Sequence, residues 1–164
     1  MARVTIIETN LEFGNMNVRP VTEMIVIHHV GDLDRDVSAE EIHGWHLGNG
    51  WAGIGYHYVI RQDGTIERGR PRVYTGSHAQ GFNSRSIGIN VVGNLQENEP
   101  TDAQMVSLCN LVADLAEIYE LEINDDTLLG HCDLMSTDCP GEKMWNRLAE
   151  DRETTNKLLG KVTE

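Results

Sequence analysis

Cysteine is scarce in this 164-residue sequence, which contains only Cys109, Cys132 and Cys139. A small, odd number of cysteines argues against a fold held together by disulfide bonds. Long apolar runs are also missing, and none approaches the roughly 18 residues that a membrane-spanning helix needs. The first apolar run, residues 4–7, is too short for the apolar region of a signal peptide. We therefore expect synthesis in the cytoplasm without a signal peptide, and no membrane span.

Basic side chains are few as well: 13 Lys and Arg stand against 26 Asp and Glu, which gives a formal net charge of −13. Such a chain is repelled by nucleic-acid phosphates and by anionic lipid, so binding to nucleic acid or to a membrane surface is disfavoured. A chain of this length fits one domain and buries roughly 70% of its unfolded surface. We expect a single domain that works as a monomer.

Short apolar runs, typical of buried strands, alternate with helical patterns along the chain. The dipeptide Asp63-Gly64 separates two of these runs and is a hairpin signal. The predicted strands are residues 24–28, 56–60, 65–67, 87–92 and 128–129. Strands that alternate with helices and include one hairpin predict an α/β fold with a central mixed sheet flanked by helices.

Two capping boxes mark helix starts. Ser38 and Glu41 are placed to open the first helix, and Thr101 and Gln104 to open the second. In the second helix, apolar residues at spacings of three and four continue to about residue 118. A last helix is expected after Pro140, and the polar segment that follows it should fray.

Three side chains with the chemistry of zinc ligands follow the buried strands. His28 ends one strand, His131 follows the run at 128–129, and Cys139 lies eight positions after His131. If the two strands are neighbours, both imidazoles emerge at one edge of the sheet. Two imidazoles and a thiolate bind zinc well, and three protein ligands leave a fourth position open, as in catalytic sites. The sequence therefore predicts a catalytic Zn²⁺ at one edge of the sheet.

Neighbouring residues leave alternatives to this set open. By strand alternation, His29 points to the opposite face, so only one of the paired histidines should reach the metal. Cys132 is interpreted as a packing residue, with a closed structural zinc site that includes it as an alternative. Cys139 precedes an expected helix start, which would favour its thiolate. A hydrolase that uses Cys139 as nucleophile without zinc is a further alternative.

Six motifs in a fixed order give the chain a resemblance to the zinc-dependent N-acetylmuramoyl-L-alanine amidases. The most similar branches are the amidase-type lysozymes of tailed phages and the peptidoglycan recognition proteins. The motifs are MIVIHH at 24–29, GIGYHYVI at 53–60, DGTIERGR at 63–70, GSHAQGFN at 76–83, SIGI at 86–89, and His131 with CPG at 139–141.

This resemblance covers about residues 20–150. It implies one amidase domain over residues 1–164, with an N-terminal extension at 1–19 and a polar C-terminal tail at 150–164. It further implies hydrolysis of the amide bond between N-acetylmuramic acid and L-alanine in peptidoglycan. The implied setting is a phage or prophage endolysin, or a bacterial cell-wall lytic enzyme, that acts on the cell wall after release.

Catalytic roles also follow from the resemblance. The three predicted ligands match the family's zinc ligands, and Tyr56 matches the tyrosine that positions the attacking water or stabilises the oxyanion. Thr137 stands where phage lysozymes carry a Lys and recognition proteins commonly carry a Thr. Asn90 stands where other amidase branches place a Glu that acts as acid or base, so more of the chemistry is expected to depend on Tyr56.

The groove for glycan and peptide is implied by the same resemblance. Its expected lining residues are Trp51, His57, His78, Asn83 and Arg85. From the residues alone, His57 can equally face the core, His78 and Asn83 can hold a turn, and Arg85 can be solvated. His43 and His46 are expected on a helix surface. A non-catalytic recognition module is the alternative function, although such modules typically lack the Cys ligand that is present here.

Overall fold

A six-stranded mixed sheet forms the centre of the computed structural model, which describes residues 2–161. Its spatial order is β1-β4-β3-β5-β2-β6, and among these strands only β3 and β4 pair antiparallel. The strands are β1 (Ile6–Ile7), β2 (Met24–His29), β3 (Tyr58–Ile60), β4 (Ile66–Arg68), β5 (Ser86–Val91) and β6 (Leu128–Gly130). The predicted α/β fold with a mixed sheet is confirmed.

Helices cover both faces of this sheet. The helices are α1 (Ala39–Gly48), α2 (Asp102–Tyr119), α3 (Glu142–Trp145) and α4 (Leu148–Leu158). The larger core packs α2 against one face, where alternate residues such as Ile25 and Ile27 of β2 and Ile87 and Ile89 of β5 are fully buried. Around α1, a smaller core includes Ile42. No helix within residues 2–161 has the length and apolar character needed to cross a bilayer.

Strand β2 occupies the position that matters most for the site. It pairs in parallel with β5 on one side and with β6 on the other, so the carboxyl ends of three strands meet. All six of its residues are buried. Because side chains alternate along a strand, His28 points to the face opposite Ile27. The strands that lead to His28 and His131 are neighbours, so the condition for both imidazoles to emerge at one edge of the sheet is met.

The two predicted capping boxes form to different extents. At α2, Thr101 accepts from the Gln104 N–H and the Gln104 side chain accepts from the Thr101 N–H, both at 3.0 Å. At α1, Ser38 accepts from the Glu41 N–H at 3.1 Å. The Glu41 carboxylate pairs with Arg35 at 2.8 Å instead of reaching back. Only half of the first box is therefore present.

The C-terminal segment differs from the expectation of a frayed polar tail. The last predicted helix is split into α3 and α4, and α4 continues through residue 158. Leu148, Asp151 and Thr155 are buried, with α4 packed against α2. The tail prediction is wrong for residues 150–158, because tertiary packing holds a helix whose buried face is partly polar. Residues 162–164 of the predicted tail, and Met1, lie outside the described residues.

The N-terminal segment also does more than extend the domain. Strand β1 pairs in parallel with β4 and forms an edge of the sheet. The hairpin predicted at Asp63-Gly64 is confirmed, with Gly64 in the left-handed region at φ +90°. Both strands begin later than predicted, at residue 58 instead of 56 and at residue 66 instead of 65. Tyr56 consequently lies before β3, in the loop that borders the site.

Candidate active site

His28, His131 and Cys139 converge at the carboxyl ends of β2 and β6. Their ligand atoms all lie within 4.8 Å of one another. Nδ1 of His28 is 3.5 Å from Sγ of Cys139, and the rings of His28 and His131 are 4.6 Å apart. The structure therefore brings together the three residues that the sequence predicts as metal ligands.

The donor set fits a tetrahedral zinc ion. With Zn–N bonds of about 2.0 Å and Zn–S bonds of about 2.3 Å, nitrogen and sulfur ligands of one zinc lie about 3.6 Å apart. The observed 3.5 Å between Nδ1 of His28 and Sγ of Cys139 agrees with that separation. Three ligands from this chain leave one coordination position for water or substrate. The side chains present are thus suited to a catalytic zinc.

Close backbone packing positions Cys139. The N–H of Cys132 donates to the carbonyl of Cys139 at 2.8 Å, which closes the loop between them. A side chain at Gly130 would lie 2.8 Å from Cδ of Pro140, so a glycine is required before His131. The Cys132 thiol is not part of the three-residue cluster. This arrangement supports the interpretation of Cys132 as a packing residue.

The Cys139 thiol does not have the low pKa expected at a helix start. Burial raises the pKa of Cys139 to about 12. The helix that follows is only the four-residue α3, which begins after Gly141. In the absence of a metal the group is therefore a neutral thiol at pH 7, and the expectation of a helix-stabilised thiolate is wrong. This result counts against a metal-free cysteine nucleophile, since the thiolate is the reactive form.

The histidines of the cluster are held neutral. Burial lowers the pKa of His28 well below its ordinary value, and the nearby imidazoles of His78 and His131 act in the same direction. Burial also lowers the pKa of His131. Neutral imidazole is the form that binds a metal ion. The site is thus prepared for a cation without having to expel protons from its imidazoles.

Tyr56 borders the cluster, with its ring 4.9 Å from that of His28. Burial raises its pKa, with the nearby Cys139 thiol acting in the same direction, so the hydroxyl stays protonated at neutral pH. Thr137 lines the same cavity, and its oxygen accepts from the Cys139 N–H at 3.2 Å. Two hydroxyl groups therefore flank the three predicted ligands.

Asn90 contributes a buried amide next to Tyr56, whose pKa it acts to lower. It is 1% exposed, and neither Oδ1 nor Nδ2 has a hydrogen-bond partner at normal distance and angle among the described residues. It stands on β5 directly opposite His28 in the β2–β5 register, so both side chains are on the same face of the sheet. Buried polar groups are nearly always paired. The Tyr56 hydroxyl is the neighbour of this amide, and Asn90 does not itself line the cavity.

The cluster opens into a cavity of about 710 Å³. Trp51 lines one side and is 42% exposed, with its ring 4.5 Å from that of His46. His46 also lines the cavity, and its Nδ1 accepts from the Gly55 N–H at 2.9 Å. Burial lowers the pKa of His46 to about 4, so its other nitrogen carries the hydrogen. The expected surface position of His46 therefore holds only in part, because its ring is half-buried in the cavity wall.

His43 is buried instead of lying on a helix surface. Its Nδ1 accepts from the Ile54 N–H at 3.0 Å, and its Nε2 lies 2.9 Å from the Glu12 carbonyl. The glycine-rich loop folds back over α1 and supplies the Ile54 N–H, whereas the N-terminal segment supplies the Glu12 carbonyl. The glycine content of residues 48–55 was the only signal in the sequence that could have indicated this contact.

Two predicted groove residues lie elsewhere. His57 is fully buried, with Nε2 2.8 Å from the Tyr74 carbonyl and Nδ1 accepting from the Gly88 N–H at 3.0 Å. Burial lowers its pKa to about 3. Arg85 pairs with Glu23 at 3.1 Å and is not among the residues that line the cavity. His57 is therefore too deeply buried to contact a substrate, and Arg85 pairs with Glu23 instead of lining the cavity.

His78 and Asn83 do line the cavity, and they are joined to each other. Oδ1 of Asn83 accepts from the backbone N–H groups of His78 and Ala79, both at 2.8 Å. Nδ1 of His78 lies 2.9 Å from Nε2 of His28. The loop thus places the imidazole of His78 in contact with His28, on the side of that ring away from Cys139.

Comparison with known proteins agrees with this arrangement. The family model described as N-acetylmuramoyl-L-alanine amidase matches residues 17–142. The endolysin of Enterobacteria phage T3 is 36% identical over 138 residues, which are 79% of this chain and 89% of the phage protein. Peptidoglycan-recognition protein SC2 of Drosophila melanogaster is 33% identical over 158 residues, which are 88% of this chain and 85% of the insect protein.

A solved structure is similar over almost the whole chain. The N-acetylmuramoyl-L-alanine amidase LysC from Clostridium intestinale has a TM-score of 0.83 and 36% identity, covering 97% of this chain and 99% of that one. Sequence, fold and site geometry therefore agree, and the chain belongs to the N-acetylmuramoyl-L-alanine amidase family.

Proposed function

We propose that this protein hydrolyses the amide bond between N-acetylmuramic acid and L-alanine in peptidoglycan. The observation that carries the proposal is the convergence of His28, His131 and Cys139 within 4.8 Å, beside Tyr56, in a chain of the amidase family. The relative from phage T3 is named an endolysin. We assign the same setting to this chain, a lytic enzyme of a phage or prophage that acts on the cell wall as a monomer.

The proposed cofactor is one Zn²⁺ held by His28, His131 and Cys139. Zinc in such a site acts as a Lewis acid that activates water and polarises an amide carbonyl. The supporting observations are the neutral imidazoles, the single sulfur ligand and the 3.5 Å between Nδ1 of His28 and Sγ of Cys139, which suits tetrahedral geometry.

Tyr56 is proposed to stabilise the oxygen of the amide carbonyl as negative charge develops on it. A donor serves this purpose only while it keeps its proton, and burial raises the pKa of Tyr56. Such preorganised donors act most strongly in sites shielded from water. Thr137 supplies a second hydroxyl close to Cys139, and the buried amide of Asn90 lies next to Tyr56, whose pKa it acts to lower.

The wall formed by Trp51 and His46 is proposed to bind the glycan end of the substrate. An exposed indole packs well against the apolar face of a sugar ring. Next to it, the hydrogen on Nε2 of His46 can be donated into the cavity because Nδ1 is occupied by the Gly55 N–H. The acidic surface of the protein suits a substrate other than a polyanion, and peptide and sugar hydroxyl groups meet that condition.

The test is digestion of purified peptidoglycan followed by two product assays. New amino termini of L-alanine, without new reducing sugar ends, are expected for the native protein. The activity should disappear with a chelator and return on addition of zinc. The variant Tyr56→Phe keeps all three ligands, so it should still bind zinc but lose most of the activity. New reducing ends without alanine termini would limit the family assignment to the fold. Bound muropeptide with neither product would favour the alternative, a non-catalytic recognition module.

A further inference from the structure

His28 makes a second contact that the proposed reaction does not use. Its Nδ1 faces Cys139, while its Nε2 lies 2.9 Å from Nδ1 of His78. The two rings are nearly perpendicular, with an interplanar angle of 88°. Both nitrogens of this ligand are therefore engaged, one towards the metal position and one towards a buried imidazole.

Ser86 determines, through His78, which nitrogen of His28 carries the hydrogen. Its hydroxyl donates to the Phe82 carbonyl at 2.8 Å. A hydroxyl has one hydrogen, so the same oxygen can only accept from Nε2 of His78, which is 3.2 Å away. His78 then has a free lone pair on Nδ1, which accepts from Nε2–H of His28. This leaves His28 with its lone pair on Nδ1, the form that a metal requires.

The backbone of β5 leaves space for the His78 ring. A side chain at Gly88 of β5 would place its Cβ 2.5 Å from Cγ of His78, so the ring occupies space that only a glycine leaves open. Asn83 fixes the backbone of the loop through two hydrogen bonds to its Oδ1. Gly88 pairs with Val26 in the β2–β5 register, two residues before His28, which brings the ring beside β2.

We propose that His78 is a positioning residue, which together with Ser86 holds His28 in the Nε2–H tautomer and aims its Nδ1 at the metal. This inference rests on the proposed function for the identity of the metal. It gives His78 a task other than contact with substrate. Partners of this kind orient metal-binding histidines in many proteins, and their loss typically weakens metal affinity about 10- to 100-fold.

Two substitutions at position 78 separate this role from simple packing. His78→Leu removes the acceptor, whereas in His78→Asn the amide oxygen can occupy the position of Nδ1. Zinc affinity is measured by competition with a chromophoric chelator. We expect a loss of about 10- to 100-fold for leucine and of only a few-fold for asparagine. Equal zinc affinity in the native protein and in a folded leucine variant would overturn the proposal, as would equal losses in both variants.

A second measurement needs neither zinc nor activity. Long-range ¹H–¹⁵N correlation spectra of the metal-free protein report the tautomer of each imidazole. In the native protein we expect His28 to be protonated on Nε2. In Ser86→Ala we expect a mixture of His28 tautomers. This variant keeps every imidazole, and it replaces His78→Leu if the leucine variant does not fold. An Nδ1–H tautomer in the native protein, or no change in the variant, would overturn the proposal. Failure of native protein to cut peptidoglycan would refute the proposed function and leave these readouts unaffected.

Discussion

Asp151 offers the sharpest test of how the C-terminal helix is packed. This side chain of α4 is 2% exposed, with Oδ1 3.5 Å from Sγ of Cys109. Its Oδ2 has no hydrogen-bond partner within residues 2–161. Burial raises its pKa from 3.8 to about 7, although Arg147 and Arg152 act in the opposite direction. The ionised form is therefore unfavourable in the folded protein.

The sign and size of the effect follow from linkage. A carboxyl group whose pKa is higher in the folded state keeps its proton on folding, so the free energy of unfolding falls as the pH rises from about 4 to about 7. A folded pKa of about 7 against 3.8 corresponds to about 4 kcal/mol at pH 8. Asparagine has nearly the same shape and no charge. We expect Asp151→Asn to be more stable than the native protein by up to about 4 kcal/mol at pH 8, and by less than about 1 kcal/mol at pH 4.

Urea unfolding of the two metal-free proteins at pH 4, 6 and 8 measures this difference. Comparing them at the same pH cancels other titrating groups, including the buried histidines, whose lowered pKa values act in the opposite sense. Asp125→Asn is the control, since it removes one charge from an exposed position. A stability gain that does not change with pH, or a loss at pH 8, would refute the reasoning, because it would mean that the carboxylate is not penalised by burial.

Three further predictions concern the site. Tyr56→Phe should retain zinc and lose activity by about 10²-fold or more, because only the hydroxyl is removed; native rates would show that Tyr56 is packing. Cys139→Ala should lose zinc and activity together, and full zinc occupancy by elemental analysis would refute the ligand assignment. Asn90→Glu should fold and alter the pH profile of peptidoglycan cleavage, since position 90 shares a face with His28; insoluble protein would contradict this placement.

The metal cluster could be predicted from sequence because its placement depends on local rules. An apolar β-branched run indicates a buried strand, and a residue at its end lies at the rim of the sheet. These rules place His28 and His131, and alternation separates His28 from His29. Cys139 follows from its short distance along the chain to His131. The fold class required only the order of strands and helices.

The environment of the cluster depended on contacts that sequence patterns do not show. The buried face of α4 consists of Leu148, Asp151 and Thr155. Because two of these three residues are polar, the sequence does not show the apolar periodicity that normally marks the buried face of a helix. The burial of His43 and the partial burial of His46 depend on a glycine-rich loop that folds back on α1. Whether an imidazole faces solvent or a backbone N–H is decided by segments distant in the chain, and periodicity carries no information about them.

Histidine is the residue type for which this distinction matters most here. Of the seven histidines, only His28 and His131 belong to the metal cluster. Four others accept hydrogen bonds from backbone N–H groups through Nδ1, and they are His29, His43, His46 and His57. An imidazole that accepts at one nitrogen must be neutral, and burial lowers the pKa of His28, His46, His57 and His78. The fold therefore keeps positively charged imidazoles out of the region in which we propose that a divalent cation binds, so the residues around the site do not repel that cation.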